Sequence, residues 1–311
     1  MIYITQGHEK SIAIEVLVKG LFMLPIGELH KLKYIVHQET LESNLIELKI
    51  NYHINKNQLV FENNRKINCI FLDSSIEKSS FDSIIYCLKN ATKDDIFITS
   101  PTSKDKFYWL QKNYLGHTDF FRSYYKKNLT MNFVNNNEQV LILTDHVPVS
   151  EITKNINTNN IYQQIVTSIN GLKKYFNRDI LKVLVSGINP HAGEKGLIGT
   201  EDFLINKALI KLRNSHPNID FIGPIPADTL SNQVKESYST LQVFCHHDQA
   251  LTYFKHKNGF LGINTTFGGE CLRLSVDHGT ASELYGLNKA NPLGSYFVLN
   301  KALKIHDNIR S

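Results

Sequence analysis

The feature that most constrains what this chain can fold into is the alternation of short apolar runs with amphipathic stretches along most of its length. A short apolar run suits a strand covered on both faces, and an amphipathic stretch suits the helix that covers it, so the pattern predicts an α/β fold with parallel strands. Residues 1–5 read as the first strand. Ile14, Leu17, Val18 and Leu21 then recur at helical spacing and predict a helix over about 11–22. The clearest later strands are 96–99, 140–144, 183–186, 221–222 and 241–245, and the polar, Asn-rich stretch 51–68 alternates like an exposed hairpin. At 311 residues the chain has room for two domains of roughly 150 residues each. It shows no internal repeat and no Pro-, Gly- or Ser-rich linker. Two domains would therefore exchange segments: 1–115 with 262–311 in the first and 116–261 in the second, with crossings near Gly116 and Gly262.

Charge and cysteine content exclude several function classes. Lys plus Arg number 34 against 29 Asp plus Glu, a formal charge of +5, and the basic residues are scattered. That favours small anionic ligands over nucleic acid, which would ask for a basic stripe with interleaved aromatics. Cys69, Cys87, Cys245 and Cys271 are far apart and form no CxxC pair, so neither a disulfide framework nor a thiolate zinc site is expected, and a reducing, cytoplasmic location is. Glu9, Lys10, Glu15 and Lys19 interrupt the first apolar stretch and no later run could cross a bilayer, so no export or membrane role is expected.

Three of the apolar strands run straight into a histidine: VLILTDH at His146, VLVSGINPH at His191 and LQVFCHH at His247. Ligands of open α/β sheets gather at the carboxyl ends of strands. Three neutral imidazoles there would hold a divalent cation and leave its positive charge available to a substrate. The plainer alternative is that these are three of 13 histidines with separate structural roles. His246 and His247 would point to opposite faces of an extended segment, so at most one of them is expected as a ligand.

Two further stretches carry chemistry. The loop from Asn189 to Thr200 has Gly193, Gly196 and Gly199, which permit positive φ and close ligand approach, and Thr200 is placed as an N-cap with Glu201 and Asp202 in the first turn of the next helix. Its glycine spacing matches neither the Rossmann nor the P-loop pattern, and a structural turn is the simpler explanation of it. Downstream, Arg273 offers a planar fork for phosphate or carboxylate, and Lys255 a second positive charge.

Together GHTDFF from Gly116, TDHVP from Thr144, GINPHAGEKG from Gly187, GPIPADTL from Gly223, HDQA from His247 and SVDHGTASELYG from Ser275 resemble, in order, the 4-hydroxythreonine-4-phosphate dehydrogenase family. The resemblance implies two α/β/α domains around a cleft, similar to isocitrate and isopropylmalate dehydrogenases, and a homodimer whose active sites are shared between subunits. It implies one divalent metal per site (zinc, magnesium, manganese or cobalt), held by His146 and His191 of one subunit and His247 of its neighbour. It further implies that His117, Thr118, Lys255, Asn264 and Arg273 bind a phosphorylated hydroxy amino acid, with Lys255 among the catalytic groups. NAD or NADP would rest its adenosine half on Asp277, His278, Gly279, Thr280 and Ala281, with Asn291 nearby, and Asp228 would bond the substrate amine or a ligand. The implied reaction is oxidation of 4-hydroxythreonine 4-phosphate followed by decarboxylation to 3-amino-2-oxopropyl phosphate, in vitamin B6 formation.

Three departures separate this chain from that family pattern. The family's glycine- and proline-rich first loop is here Thr5-Gln-Gly-His-Glu-Lys-Ser-Ile-Ala-Ile-Glu15, a TGPxxK motif has become Thr99-Ser-Pro-Thr-Ser-Lys104, and Gly269-Glu270-Cys271 stands where Leu-Pro-Phe is usual. The last change puts a carboxylate near the phosphate-binding set. A same-fold dehydrogenase of another four-carbon phosphate, such as threonate or erythronate 4-phosphate, is the first alternative, and a non-catalytic ligand-binding relative the second.

Overall fold

A computed structural model of the protein describes residues 1–234 and 238–310. The chain divides into two compact units, one of residues 1–126, 260–263 and 269–311, the other of 127–259 and 264–268. Segment exchange is thus built into the topology. The first crossing follows Lys126, where the sequence suggested Gly116. Helix His117–Tyr125 stays with the first unit because Phe120 and Phe121 pack against Phe81 and Phe97, at ring separations of 5.0 and 5.5 Å.

In the first unit the strand order is Leu272–Val276, Ile96–Thr99, Ile2–Thr5, Leu32–Val36, Lys66–Phe71, Gln58–Phe61 and Tyr52–Asn55. The first five strands are parallel, and the last two form a hairpin, antiparallel within itself and to Lys66–Phe71, that is not wholly exposed because Leu59 and Phe61 are buried. Ile96–Thr99 is buried along its whole length, which explains its unbroken apolar run. Helix Ala13–Met23 packs on the last helix, Leu293–Arg310. Its Glu15, 2% exposed, is retained in that apolar setting because it accepts from Lys19 Nζ at 2.6 Å and from the Ala290 amide at 2.7 Å.

In the second unit the order is Asp220–Ile225, Lys182–Ser186, Thr240–His246, Gln139–Thr144, Thr130–Val134 and Ile263–Phe267. The first four are parallel, and Thr130–Val134 runs antiparallel to its neighbour. Lys182–Ser186, Thr240–His246 and Gln139–Thr144 are adjacent. Being parallel, they deliver their carboxyl ends to one edge of the sheet, and these are the three strands that lead to His191, His247 and His146. Among the described residues no helix is long and apolar enough to cross a membrane.

Candidate active site

At that sheet edge His146 and His247 of the same chain come together, with ring centres 5.9 Å apart and planes inclined by 38°. His146 follows the buried Asp145 directly and adopts φ +45°, a left-handed conformation that turns the chain sharply as it leaves the strand. His247 begins helix His247–Asn258, while His246 ends the preceding strand, so the strand-to-helix break separates the two rings. The His247 Nδ1 lies 2.7 Å from Asp248 Oδ1. That hydrogen bond holds the Asp248 carboxyl below its usual range, and burial does the same to the His246 imidazole.

A nitrogen ligand sits about 2.0–2.1 Å from zinc with its ring centre about 1.1 Å farther out, so two imidazoles sharing an ion have centres roughly 5 to 6 Å apart. The 5.9 Å separation of this pair lies inside that range. His191 is presented differently. It lies in the segment Pro190–Gly196, its side chain is 71% exposed, and its Nδ1 stands 2.9 Å from Glu194 Oε1, so Nε2 is the nitrogen left for a ligand. No three His, Cys, Asp or Glu side chains cluster as a metal site among the described residues. Within one chain it is thus His146 and His247 that lie close, where the resemblance implied His146 and His191 of one subunit with His247 of its neighbour.

The expected Thr200 cap does not form. Helix Asp202–Ser215 starts one residue later than that cap implied, with Glu201 at the N-cap and no side-chain cap, and Asp202, in the first turn as expected, turns its carboxylate back to the loop before His191. There His191, Ala192, Gly193, Glu194 and Lys195 all have positive φ. Each non-glycine residue in that region costs about 1–2 kcal/mol of local strain. An open pocket of about 490 Å³ lies along this turn, lined in part by His191, Lys195, Asp202 and Pro226, and its size suits a small ligand. A second, of about 770 Å³, has Asp228 and Asp248 in its wall.

Of the proposed substrate residues, His117, Thr118 and Arg273 belong to the first unit, and Lys255 and Asn264 to the second. Arg273, 4% exposed, donates from Nε and Nη2 to Thr99 Oγ1, and its guanidinium lies 5.6 Å from the Phe121 ring centre. Burial pushes that guanidinium down to about 9. Thr118 is buried, and the His117 ring meets Phe107 edge-on at 4.7 Å. Lys255 is exposed on helix His247–Asn258, and Asn264 has a buried Oδ1 without a hydrogen-bond partner, an acceptor available to a ligand donor.

The stretch Asp277, His278, Gly279, Thr280 and Ala281 leaves strand Leu272–Val276 and fastens to the first loop, where the Thr280 carbonyl accepts from Ile12 N at 3.1 Å. Ala281 packs with Ile12, Val16 and Ala290, whereas a Cβ built at Gly279 would meet nothing within 4 Å. That space suits an approaching ligand. Asn291 caps the last helix, its Oδ1 accepting from Leu293 N at 3.0 Å. Sequence reasoning named Thr99 only within an altered motif and Asp202 only as a first-turn charge, and it passed over Gln249, which sits inside the quoted HDQA motif.

A family model described as pyridoxal phosphate biosynthetic protein PdxA matches residues 28–302. The chain belongs to the PdxA family. PdxA-like relatives named 4-hydroxythreonine-4-phosphate dehydrogenase include one from Wigglesworthia glossinidia brevipalpis, 32% identical over 70% of this chain and 66% of its own length. One from Chromobacterium violaceum is 34% identical over 63% of this chain and 60% of its own. The chain thus spans about two thirds of these first relatives, while a Sulfurimonas denitrificans relative is 26% identical over 99% of this chain and 98% of its own length. Among solved structures, a 4-hydroxythreonine-4-phosphate dehydrogenase from Klebsiella pneumoniae superposes with TM-score 0.80 at 23% identity, covering 98% of this chain and 99% of that one. An isocitrate dehydrogenase from Methylococcus capsulatus gives 0.52 at 12%, covering 99% and 87%, a likeness of fold alone.

Proposed function

We propose that this PdxA-family protein is a dehydrogenase that oxidises 4-hydroxythreonine 4-phosphate with NAD or NADP and decarboxylates the product to 3-amino-2-oxopropyl phosphate. The observation that carries the reading is the His146 and His247 pair at the ends of adjacent parallel strands, 5.9 Å apart and compatible with one shared cation. When bound, a divalent cation supplies Lewis acidity toward substrate oxygens, and the dinucleotide supplies the hydride acceptor. His146, His247 and His191 hold the cation. The resemblance drew His146 and His191 from one subunit; because one chain instead sets His146 beside His247, a second copy is proposed to bring His191.

Arg273 binds the phosphate as a planar donor, with Thr99 and the Phe121 face fixing its plane before the substrate arrives. His117 and Thr118 contribute further polar contacts, Lys255 a positive charge for the departing carboxylate, and Asn264 an acceptor. Asp277, His278, Gly279, Thr280 and Ala281, with Asn291, line the adenosine end of the dinucleotide, and Asp228 bonds the substrate amine or a neighbouring ligand. The four cysteines are free and buried, in keeping with a cytoplasmic enzyme that needs no disulfide.

The turn Gly269-Glu270-Cys271 favours a second reading, in which the substrate is another four-carbon phosphate such as threonate or erythronate 4-phosphate. Cys271 is buried with its Sγ 3.9 Å from the Tyr125 hydroxyl, a contact that a Leu-Pro-Phe turn, which has no thiol, would not make. Purified protein assayed by NADH absorbance on all three phosphates, with elemental analysis of bound metal, decides between the readings. Turnover of only an aldonic acid phosphate selects the second. Failure to reduce either dinucleotide with any of them overturns both.

A further inference from the structure

The left-handed turn at His191 strings together five consecutive positive-φ residues and needs something to hold it. Its φ, ψ values are 54°, 25° at His191, 53°, 38° at Ala192, 75°, 0° at Gly193, 42°, 52° at Glu194 and 57°, 27° at Lys195. Strain of this kind persists only where the surroundings over-determine the conformation. Only Gly193 escapes the steric cost that a Cβ brings to this region.

Asp202 is what surrounds it. The side chain is 3% exposed; its Oδ1 accepts from Ile188 N at 2.8 Å, and its Oδ2 accepts from Asn189 N at 3.3 Å and from Asn189 Nδ2 at 2.9 Å. Glu201 Oε2 accepts from Asn189 Nδ2 as well, at 2.9 Å, so the residue two before His191 is gripped from both sides. The loop is folded tightly round this grip. A Cβ at Gly187 would lie 2.7 Å from Ala192 Cα and 2.9 Å from Asp202 Oδ1, one at Gly193 would lie 2.7 Å from Gly199 O and 3.1 Å from Asp202 Oδ2, and one at Gly199 would lie 2.5 Å from Asn189 Nδ2. The three glycines are therefore needed for space around the Asn189 and Asp202 pair. The turn then closes with Ile198 N donating to Gly193 O at 3.1 Å.

We propose that Asp202 is a positioning residue for His191: its buried carboxylate locks the left-handed turn in the conformation that offers His191 Nε2 to a cation, and so sets cation affinity without touching substrate. The inference rests on the reading of His191 as a metal ligand. Glu194, on Nδ1 of the same ring, completes the arrangement by fixing the ring's rotation and tautomer, as outer partners of metal-bound imidazoles do.

The test compares wild type, D202N and D202A of the full chain. Asn at 202 keeps the volume but has one acceptor oxygen where Asp has two, and its amide nitrogen would face the Asn189 donors. Cobalt(II) titration by visible absorbance is expected to give a dissociation constant raised about 10- to 100-fold in D202N, with kcat at saturating cobalt within a few-fold of wild type. In metal-free protein, trypsin is expected to cut after Lys195 faster in D202N than in wild type. D202N alone serves if D202A does not fold. Unchanged cobalt affinity and unchanged cleavage in D202N, even with a lowered Tm, would mean a merely structural carboxylate and overturn the proposal. Wild type binding no cobalt would instead overturn the metal-ligand reading itself, and the positioning role with it.

Discussion

Arg273 and Thr99 are joined by two hydrogen bonds from one guanidinium to one hydroxyl, Nε to Oγ1 at 2.9 Å and Nη2 to Oγ1 at 2.7 Å. A buried guanidinium fixed in this way is prepared for an anion at a standing cost in desolvation. Burial lowers its pKa from 12.5 to about 9, and for a cationic group the sign is as follows. Below the folded value both states are charged and the cost is fully present; as pH rises above it the folded state sheds its proton first and the cost is relieved. Arg273→Met is therefore expected to leave Tm at neutral pH unchanged or raised, while KM for the phosphorylated substrate rises about 10- to 100-fold, the equivalent of roughly 1.5–3 kcal/mol for hydrogen bonds to a charged group. Thermal melts and steady-state kinetics check both halves. A large fall in Tm would show Arg273 to be structural instead.

Glu138 makes an acid-side prediction. Its carboxylate is 1% exposed and accepts from Tyr253 and Lys257, each at 2.9 Å, and from Asn258. Burial alone would push this carboxyl up; the bonds from Asn258, Lys257 and Tyr253 outweigh it and hold it below its ordinary 4.5. A carboxyl depressed in the folded state stabilises above the unfolded value and loses that stabilisation as pH falls through the folded one. Glu138→Gln is expected to lose on the order of 1–3 kcal/mol at neutral pH. Its urea midpoint should then fall less than wild type's between about pH 5 and about pH 3. Parallel curves would remove Glu138 from the acid response.

The parts of this structure that were legible share a physical cause. Strands 140–144, 183–186 and 241–245 are covered on both faces, so burial writes a continuous apolar run into the sequence, and parallel pairing then carries His146 and His247 to one edge. The left-handed turn was only half legible. Gly193 and Gly196 announce positive φ, but nothing in His191, Ala192, Glu194 or Lys195 does, because their conformation is imposed by Asp202 from 11 to 7 residues away in sequence. Helix residues 117–125 were assigned to the wrong side of the crossing for a similar reason. What holds them is aromatic contact with Phe81 and Phe97, which no local spacing reveals.

Packing alone sets the third prediction. Gly171 lies inside helix Thr158–Phe176, where alanine would ordinarily be favoured by about 1 kcal/mol. Here a Cβ would fall 2.3 Å from Cγ of Phe267, whose ring is stacked on Tyr175 at 6.1 Å. Overpacking of this degree costs about 1–3 kcal/mol and outweighs the propensity gain. Gly171→Ala is expected to lower stability in chemical denaturation, and adding Phe267→Leu to recover part of the loss, giving a coupling energy of about 1 kcal/mol or more. Strict additivity of the two changes would contradict the contact.

Gln249 ties together the two strand ends from which His191 and His247 emerge. Its Oε1 accepts from Cys245 N at 3.1 Å and from Ser186 Oγ at 3.3 Å, and its Nε2 donates to Gly187 O at 3.1 Å. Cys245 N also donates to Ser186 Oγ at 3.2 Å, so that amide keeps a partner when Gln249 is replaced, and the loss falls on the Gly187 carbonyl. Gln249→Met, of similar length, should therefore cost only about 1 kcal/mol of stability. The larger effect is expected on cation binding, because the loop leading to His191 is released from the helix that begins at His247. Isothermal titration with cobalt(II) should show weaker binding in Gln249→Met, and Gln249→Glu should weaken it too, since a carboxylate accepts at the Cys245 side but has no hydrogen to give Gly187. Equal affinity in all three proteins would show that the tie between the strand ends does not govern where these imidazoles stand.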